Sequence, residues 1–291
     1  MVIVHFMGGL GNQMFQYAAG KSLAMHHGVP LKAYFEDKYK YAKRQFALSP
    51  FRLTIEFATR KDYPEYFPKY RLKRRIFGLL KKNVDGLMYR EKTPFKFDNE
   101  FFSLPSNVML YGFWQSPRYF QHIRNTLSND FSLKTLPTGK NLEFIQEIKA
   151  SKEPVAVHIR RGDYVTHPKQ SGFFSLPLSY YYDAIKYLRR KIGEIVLFVF
   201  SDDMDWVKQN FRPDLKIIYC DQNTSNQAHE DLRLMSLCKH HVIANSSFSW
   251  WGAWLSSQDG ITIAPGQWSQ KHFTRDLDLV PNEWIVFDIQ R

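Results

Sequence analysis

The second half of the chain is punctuated by five short apolar runs, at residues 155–159, 195–200, 216–219, 242–244 and 261–264. The stretches between them, 181–191 and 231–238 among these, carry apolar residues at helical spacing. Runs this short, rich in Val, Ile and Phe and lacking polar alternation, suit strands buried on both faces. Strands that alternate with helices are joined by crossovers, so this half is constrained to a parallel sheet with helices on either side. The start of the chain follows the same grammar. Residues 2–6 form an apolar run that Gly8-Gly9-Leu10-Gly11 breaks. Met14, Tyr17, Ala18, Lys21 and Met25 then mark a helix that stops at Gly28, and Pro30 precedes a second strand at residues 31–35. The expected fold class is therefore α/β, with an N-terminal α/β domain over residues 1–145 and a C-terminal, nucleotide-binding Rossmann-like domain over 146–291. Between residues 39 and 141 aromatics and prolines are frequent and no clean period emerges.

The 291 residues are 44% hydrophobic, too apolar for a disordered chain. Two cysteines, Cys220 and Cys238, make neither a disulfide framework nor a C-x-x-C pair, and suit ordinary thiols of a reducing compartment. The N-terminal apolar run is too short for a signal peptide, and no stretch approaches the length of a membrane span, so the expected location is the cytoplasm. Basic residues exceed acidic ones by 40 − 28 = 12, which points to an anionic partner: a nucleic acid, a phosphorylated small molecule or a membrane surface. Half of the fourteen residues from Lys69 to Lys82, KYRLKRRIFGLLKK, are basic. A solvated face and a peripheral patch on the inner face of an anionic membrane both fit that run. No motif that reads DNA or RNA is present, so no nucleic-acid partner is expected.

Four segments carry chemistry. In Gly8-Gly9-Leu10-Gly11-Asn12-Gln13 the dinucleotide fingerprint fails, because Met14 stands where its third glycine is needed. Gly20-Lys21-Ser22 fails as a phosphate loop, because Phe15 occupies the position of that motif's first glycine. What remains at the glycine corner is either a structural turn or a helix N-terminus that an anion or sugar can approach closely. The second segment, VAVHIRRGDY at residues 155–164, brings Arg160, Arg161, Asp163 and Tyr164 to the carboxyl end of a strand. Open α/β sheets bind ligands there, and guanidinium forks suit a diphosphate; an Arg–Asp pair closing the loop is the structural alternative. The third, Ser201-Asp202-Asp203, ends the next strand and suits a helix cap better than a metal site. In the fourth, Glu230-Asp231 leads a helix, and Asn245-Ser246-Ser247-Phe248 opens another whose hydroxyls and N–H groups suit a phosphate. Trp250 and Trp251 suit the core, and His240 and His241 suit a strand end rather than a metal.

With FMGGLGNQMFQYA, VHIRRGDYV, FSDD and CKHHVIANSSFSWWGAWL in this order, the chain resembles the bacterial α-1,2-fucosyltransferases of glycosyltransferase family 11. The resemblance implies a GT-B-like architecture, two Rossmann-type α/β domains facing across a cleft. It implies GDP-β-L-fucose as donor and inverting transfer to the 2-hydroxyl of a terminal β-galactoside such as lactose, N-acetyllactosamine or a lipopolysaccharide-type glycan. No metal or other cofactor is expected. It assigns Arg160 to the donor diphosphate, Asp231 to guanine, Ser247 with Ser246 and Phe248 to the phosphate, and the backbone at His158 to the base. Gly9, Gly11, Asn12 and Gln13 are expected on the donor too, with Arg161, Tyr164, His167, Asp202 and Asp203 as further contacts. Inversion needs a general base for the acceptor hydroxyl. The relatives' acidic base falls at Pro168, which leaves Asp163 and His167; Asp163 is taken as catalytic with Arg160, and orienting an arginine is its alternative role.

Overall fold

The computed structural model describes residues 1–35, 45–59, 61–62, 88–168 and 172–289, so the basic run from Lys69 to Lys82 lies outside the described residues. The chain divides into two compact units, Met1–Ser132 and Leu133–Arg291.

In the first unit, strand β1 (Val2–His5) is buried at every position and leads through the glycine corner into helix α1 (Leu10–His27) and strand β2 (Leu31–Tyr34). Strands β3 (Glu56–Phe57), β4 (Met88–Arg90) and β5 (Val108–Tyr111) and helix α2 (Arg124–Asp130) follow. The sheet order is β3-β2-β1-β5-β4, every pairing parallel. Placing β1 at the centre explains its unbroken apolar run, since both of its faces are covered. Gly20 has a packing role: a Cβ there would lie 2.2 Å from Val4 Cγ2, so only glycine lets α1 approach β1 this closely.

The second unit opens with helix α3 (Gly139–Ala150), strand β6 (Pro154–Ile159), the short helix α4 (Gly162–Thr166) and helix α5 (Leu178–Ile192). Strand β7 (Val196–Ser201), helix α6 (Met204–Asn210), strand β8 (Ile217–Tyr219), helix α7 (Ala228–Leu237), strand β9 (His240–Val242) and helix α8 (Ser247–Trp254) follow. Strand β10 (Thr262–Pro265), the antiparallel hairpin β11 (Gln267–Ser269) and β12 (His272–Phe273), and strand β13 (Ile285–Phe287) end the unit. The sheet order is β13-β10-β9-β6-β7-β8, again all parallel. The chain therefore builds outward from β6 through β7 to β8, returns to β9 on the other side of β6, and builds outward again. That reversal is the Rossmann order, and its switch point lies between β6 and β9.

Successive β6 side chains serve opposite faces, as a strand requires. Val155, Val157 and Ile159 pack with Tyr180, Tyr181 and Leu188 of α5. Ala156 joins Phe144, Ile145 and Ile148 of α3 and Leu234 and Met235 of α7 on the other face. This packing bears on the division of the chain. The expected boundary at residues 145 and 146 cuts through α3, whereas the apolar partners of that helix are in the second unit and the compact units separate after Ser132. Trp250 and Trp251 are fully buried, and Cys220 and Cys238 are buried free thiols. Among the described residues, no helix is long and apolar enough to cross a membrane.

Candidate active site

Arg160 is the first residue beyond β6, and Ile159 is in register with Ser201 of β7, so the pairing sets Arg160 beside Asp202. The Arg160 guanidinium donates from Nη1 to Asp202 Oδ2 at 2.9 Å and from Nη2 to Asp163 Oδ1 at 2.6 Å. The other Asp202 oxygen accepts from the Arg161 backbone N–H at 2.9 Å. Gly162 leaves room for this: a Cβ on it would sit 2.2 Å from Asp202 Oδ2. Tyr164 lies against Arg160, its ring centroid 5.4 Å from the guanidinium carbon, and its hydroxyl donates to the Asn245 carbonyl at 3.0 Å. That bond ties the exits of β6 and β9 together across the switch point.

Arg161 is engaged elsewhere. Its Nε donates to Asp203 Oδ2 at 3.0 Å and its guanidinium stacks 3.4 Å above the Trp206 ring. Asp203 in turn caps α6, accepting from the Trp206 N–H. Arg161 and Asp203 thus hold each other and fix the exit of β7. Trp206 was not anticipated, although an aromatic three residues into a capped helix is well placed to carry an arginine. His167 is exposed, with Nδ1 2.8 Å from the Thr166 hydroxyl.

On the β9 side, Ser246 caps α8, its hydroxyl accepting from the Phe248 N–H at 3.3 Å. Asn245 donates to the Phe174 and Trp268 carbonyls at 3.0 and 3.2 Å, holding that exit against the hairpin. His158 is buried with its ring centroid 5.5 Å from that of Phe248. Burial, reinforced by the Arg160 charge, pushes its pKa down to about 3, so the imidazole is neutral. Arg160 Nε, His158 Nδ1 and Asn245 Oδ1 are buried without a partner among the described residues.

The glycine corner belongs to the first unit. Gly8 has φ +80°, which favours glycine, and Gly9 precedes α1. Gln13 braces the corner: it is fully buried, its Oε1 accepts from the Ala47 N–H at 2.8 Å, and its Nε2 donates to the Gly8 and Gln45 carbonyls at 3.0 and 2.9 Å. Gly11 is buried within α1. Asn12 accepts from Gln115 at 2.7 Å, linking the corner to the segment that leaves β5. Glu91, the residue after β4, accepts from the Phe113 and Trp114 N–H groups of that segment at 2.8 and 3.0 Å, and Trp114 is held at φ +56°. Burial raises the Glu91 pKa. Sequence reasoning missed Glu91 and Gln115; the only signal was Gly112 following an apolar run.

The model of glycosyl transferase family 11 matches residues 1–288. The chain belongs to glycosyltransferase family 11. An alpha-1,2-colitosyltransferase of Escherichia coli is 34% identical over 98% of this chain and 98% of its own length. The O-antigen biosynthesis glycosyltransferase WbnK, also of E. coli, is 33% identical over 90% of this chain and 92% of its own. A galactoside alpha-(1,2)-fucosyltransferase 2 of Hylobates lar is 24% identical over 91% of this chain and 71% of its own. The protein is thus a glycosyltransferase, and its two α/β units, each on a parallel sheet, match the GT-B-like expectation.

In this glycosyltransferase Asp231 occupies the first turn of α7, half-buried, and accepts from Asn223 Nδ2 at 2.7 Å. Burial pushes its pKa up to about 7 against the Asn223 hydrogen bond, with Glu230 adding to the rise. Asn223 is itself held by reciprocal 3.0 Å amide bonds with Asn141, a brace that connects α3 to the head of α7.

Proposed function

We propose that this family 11 glycosyltransferase transfers L-fucose from GDP-β-L-fucose to the 2-hydroxyl of a terminal β-galactoside, with inversion and without a metal. The observation that carries the reading is Arg160, anchored by two carboxylates at the switch point where the capped N-terminus of α8 also lies. Breaking the anomeric C–O bond leaves negative charge on the departing diphosphate while the sugar becomes oxocarbenium-like. Arg160 and the N-terminal end of α8, which opens at Ser247 and Phe248, oppose that charge, in the manner of a preorganised anion site. Asp231 accepts from the guanine edge, and ionises as it does so. Asp163, with an oxygen on Arg160, orients the guanidinium. The 1,2 linkage is supported by the names of the colitosyl and galactoside fucosyl relatives.

A colitosyl donor is a second reading, favoured by the 34% identity to an alpha-1,2-colitosyltransferase. Colitose is L-fucose without its 3-hydroxyl, so a site that hydrogen-bonds this hydroxyl discriminates strongly between the two sugars. The test is incubation with GDP-fucose or GDP-colitose and lactose or N-acetyllactosamine, with and without EDTA, followed by linkage analysis of the product by NMR. The first reading expects an α-1,2-fucosylated galactoside whose yield ignores EDTA. Transfer of colitose alone selects the second reading, loss with EDTA overturns metal independence, and no transfer to any β-galactoside removes the acceptor assignment.

A further inference from the structure

We propose that Asp202 is a positioning residue for donor binding: it grips Arg160 Nη1 with one oxygen and the Arg161 N–H with the other, and so fixes the direction of the Arg160 fork. The inference rests on the reading of Arg160 as the diphosphate ligand.

An arginine at a strand exit has a long, freely rotating stem, and a bidentate contact is lost if the fork swings. Two carboxylates hold this fork, and they differ in kind. Asp163 is three residues along the chain, in the first turn of the short helix α4. Asp202 comes from the end of β7, the strand hydrogen-bonded to β6, so its place is set by the sheet. Its grip on the Arg161 amide fixes the backbone that carries both arginines. A guanidinium has five N–H donors. The two carboxylates take one from each Nη, which leaves the second N–H of each Nη to meet a diphosphate. The neighbours of Asp202 allow little freedom, since Gly162 would touch it if it carried a Cβ.

The test is a double-mutant cycle on the full chain with Asp202→Asn, Arg160→Ala and the pair, read by calorimetric titration with GDP and by separate KM values for donor and acceptor. Asn is isosteric and still accepts from the Arg161 N–H, but lacks the charge that holds the guanidinium. Asp202→Asn is expected to weaken GDP binding and donor kcat/KM about 10- to 100-fold, the range of a charge-assisted hydrogen bond. The acceptor KM should stay in place, and the double variant should be no worse than Arg160→Ala. Should Asp202→Asn fail to fold, Asp202→Ser is taken through the same cycle. Wild-type GDP affinity in the Asp202 variant, or losses that add to those of Arg160→Ala, overturns the positioning role alone. Absence of GDP binding by the unaltered protein overturns the donor reading, and the role of Asp202 with it.

Discussion

Gly162→Ala perturbs the site by one methyl group. No left-handed φ stands in the way, and alanine is the better helix former by about 1 kcal/mol at the head of α4. The added Cβ, however, lies 2.2 Å from Asp202 Oδ2. Ordinary contact distances begin near 3.4 Å, so the oxygen must retreat by about 3.4 − 2.2 = 1.2 Å. The 2.9 Å bond to Arg160 cannot survive that retreat, and the bond to the Arg161 N–H is strained with it. A hydrogen bond to a charged group contributes about 1.5–3 kcal/mol. Set against the helix gain, the net loss of stability is about 0.5–2 kcal/mol, a fall of a few degrees in melting temperature. Donor kcat/KM should fall about 10- to 100-fold while acceptor KM holds. Steady-state kinetics with each substrate varied in turn, alongside thermal melting, checks both. A folded Gly162→Ala protein with wild-type donor kinetics would refute the claim that this carboxylate geometry matters.

Glu91→Ala strips the acceptor from the Phe113 and Trp114 N–H groups, at about 1–3 kcal/mol for each buried donor left unmade. Urea denaturation should show that loss, with a smaller one in Glu91→Gln. Acid should also destabilise the fold. The pKa values of His158 and His241 are pushed down to about 3 and about 4, so the unfolded chain takes up both protons first as pH falls below 6.5. Asp231, raised to about 7, works in the opposite sense: the stability it contributes at low pH is lost as pH rises toward 7. For these three groups the balance between pH 6.5 and 4 is 2 − 1 = 1 extra proton on the unfolded chain, their share of the loss being about 1.4 kcal/mol per pH unit. Denaturant midpoints from pH 7 to 5 check the slope, which Asp231→Asn should steepen; a flat profile contradicts it.

The strands of the second unit were legible because a parallel sheet buries both faces and leaves continuous apolar runs. Residues 155–159 and 195–200 fall on β6 and β7 to within a residue. The exit of β9 was less sharp: the run at 242–244 begins as His240–Val242 ends, because Ile243 and Ala244 are buried beyond the ladder. Arg160 and Ser246 were legible as residues that follow strands. The anchoring of Arg161 was not, since only the fold brings Asp203 and Trp206 to it. The role of Gln13 was hidden for the same reason, because two of its three partners, Gln45 and Ala47, are more than thirty residues away. In the first unit, β3 and β4 hold two and three residues, too few to show a period.

Turnover of Arg160→Ala with GDP-fucose and lactose is the most direct test of the claim that Arg160 stabilises the departing diphosphate. With Arg161 bound to Asp203 and Trp206, kcat should fall on the order of 10²- to 10³-fold, the cost of removing one preorganised donor from a charge-stabilising site. Turnover close to that of the unaltered protein, in a variant with an intact melting transition, contradicts the account.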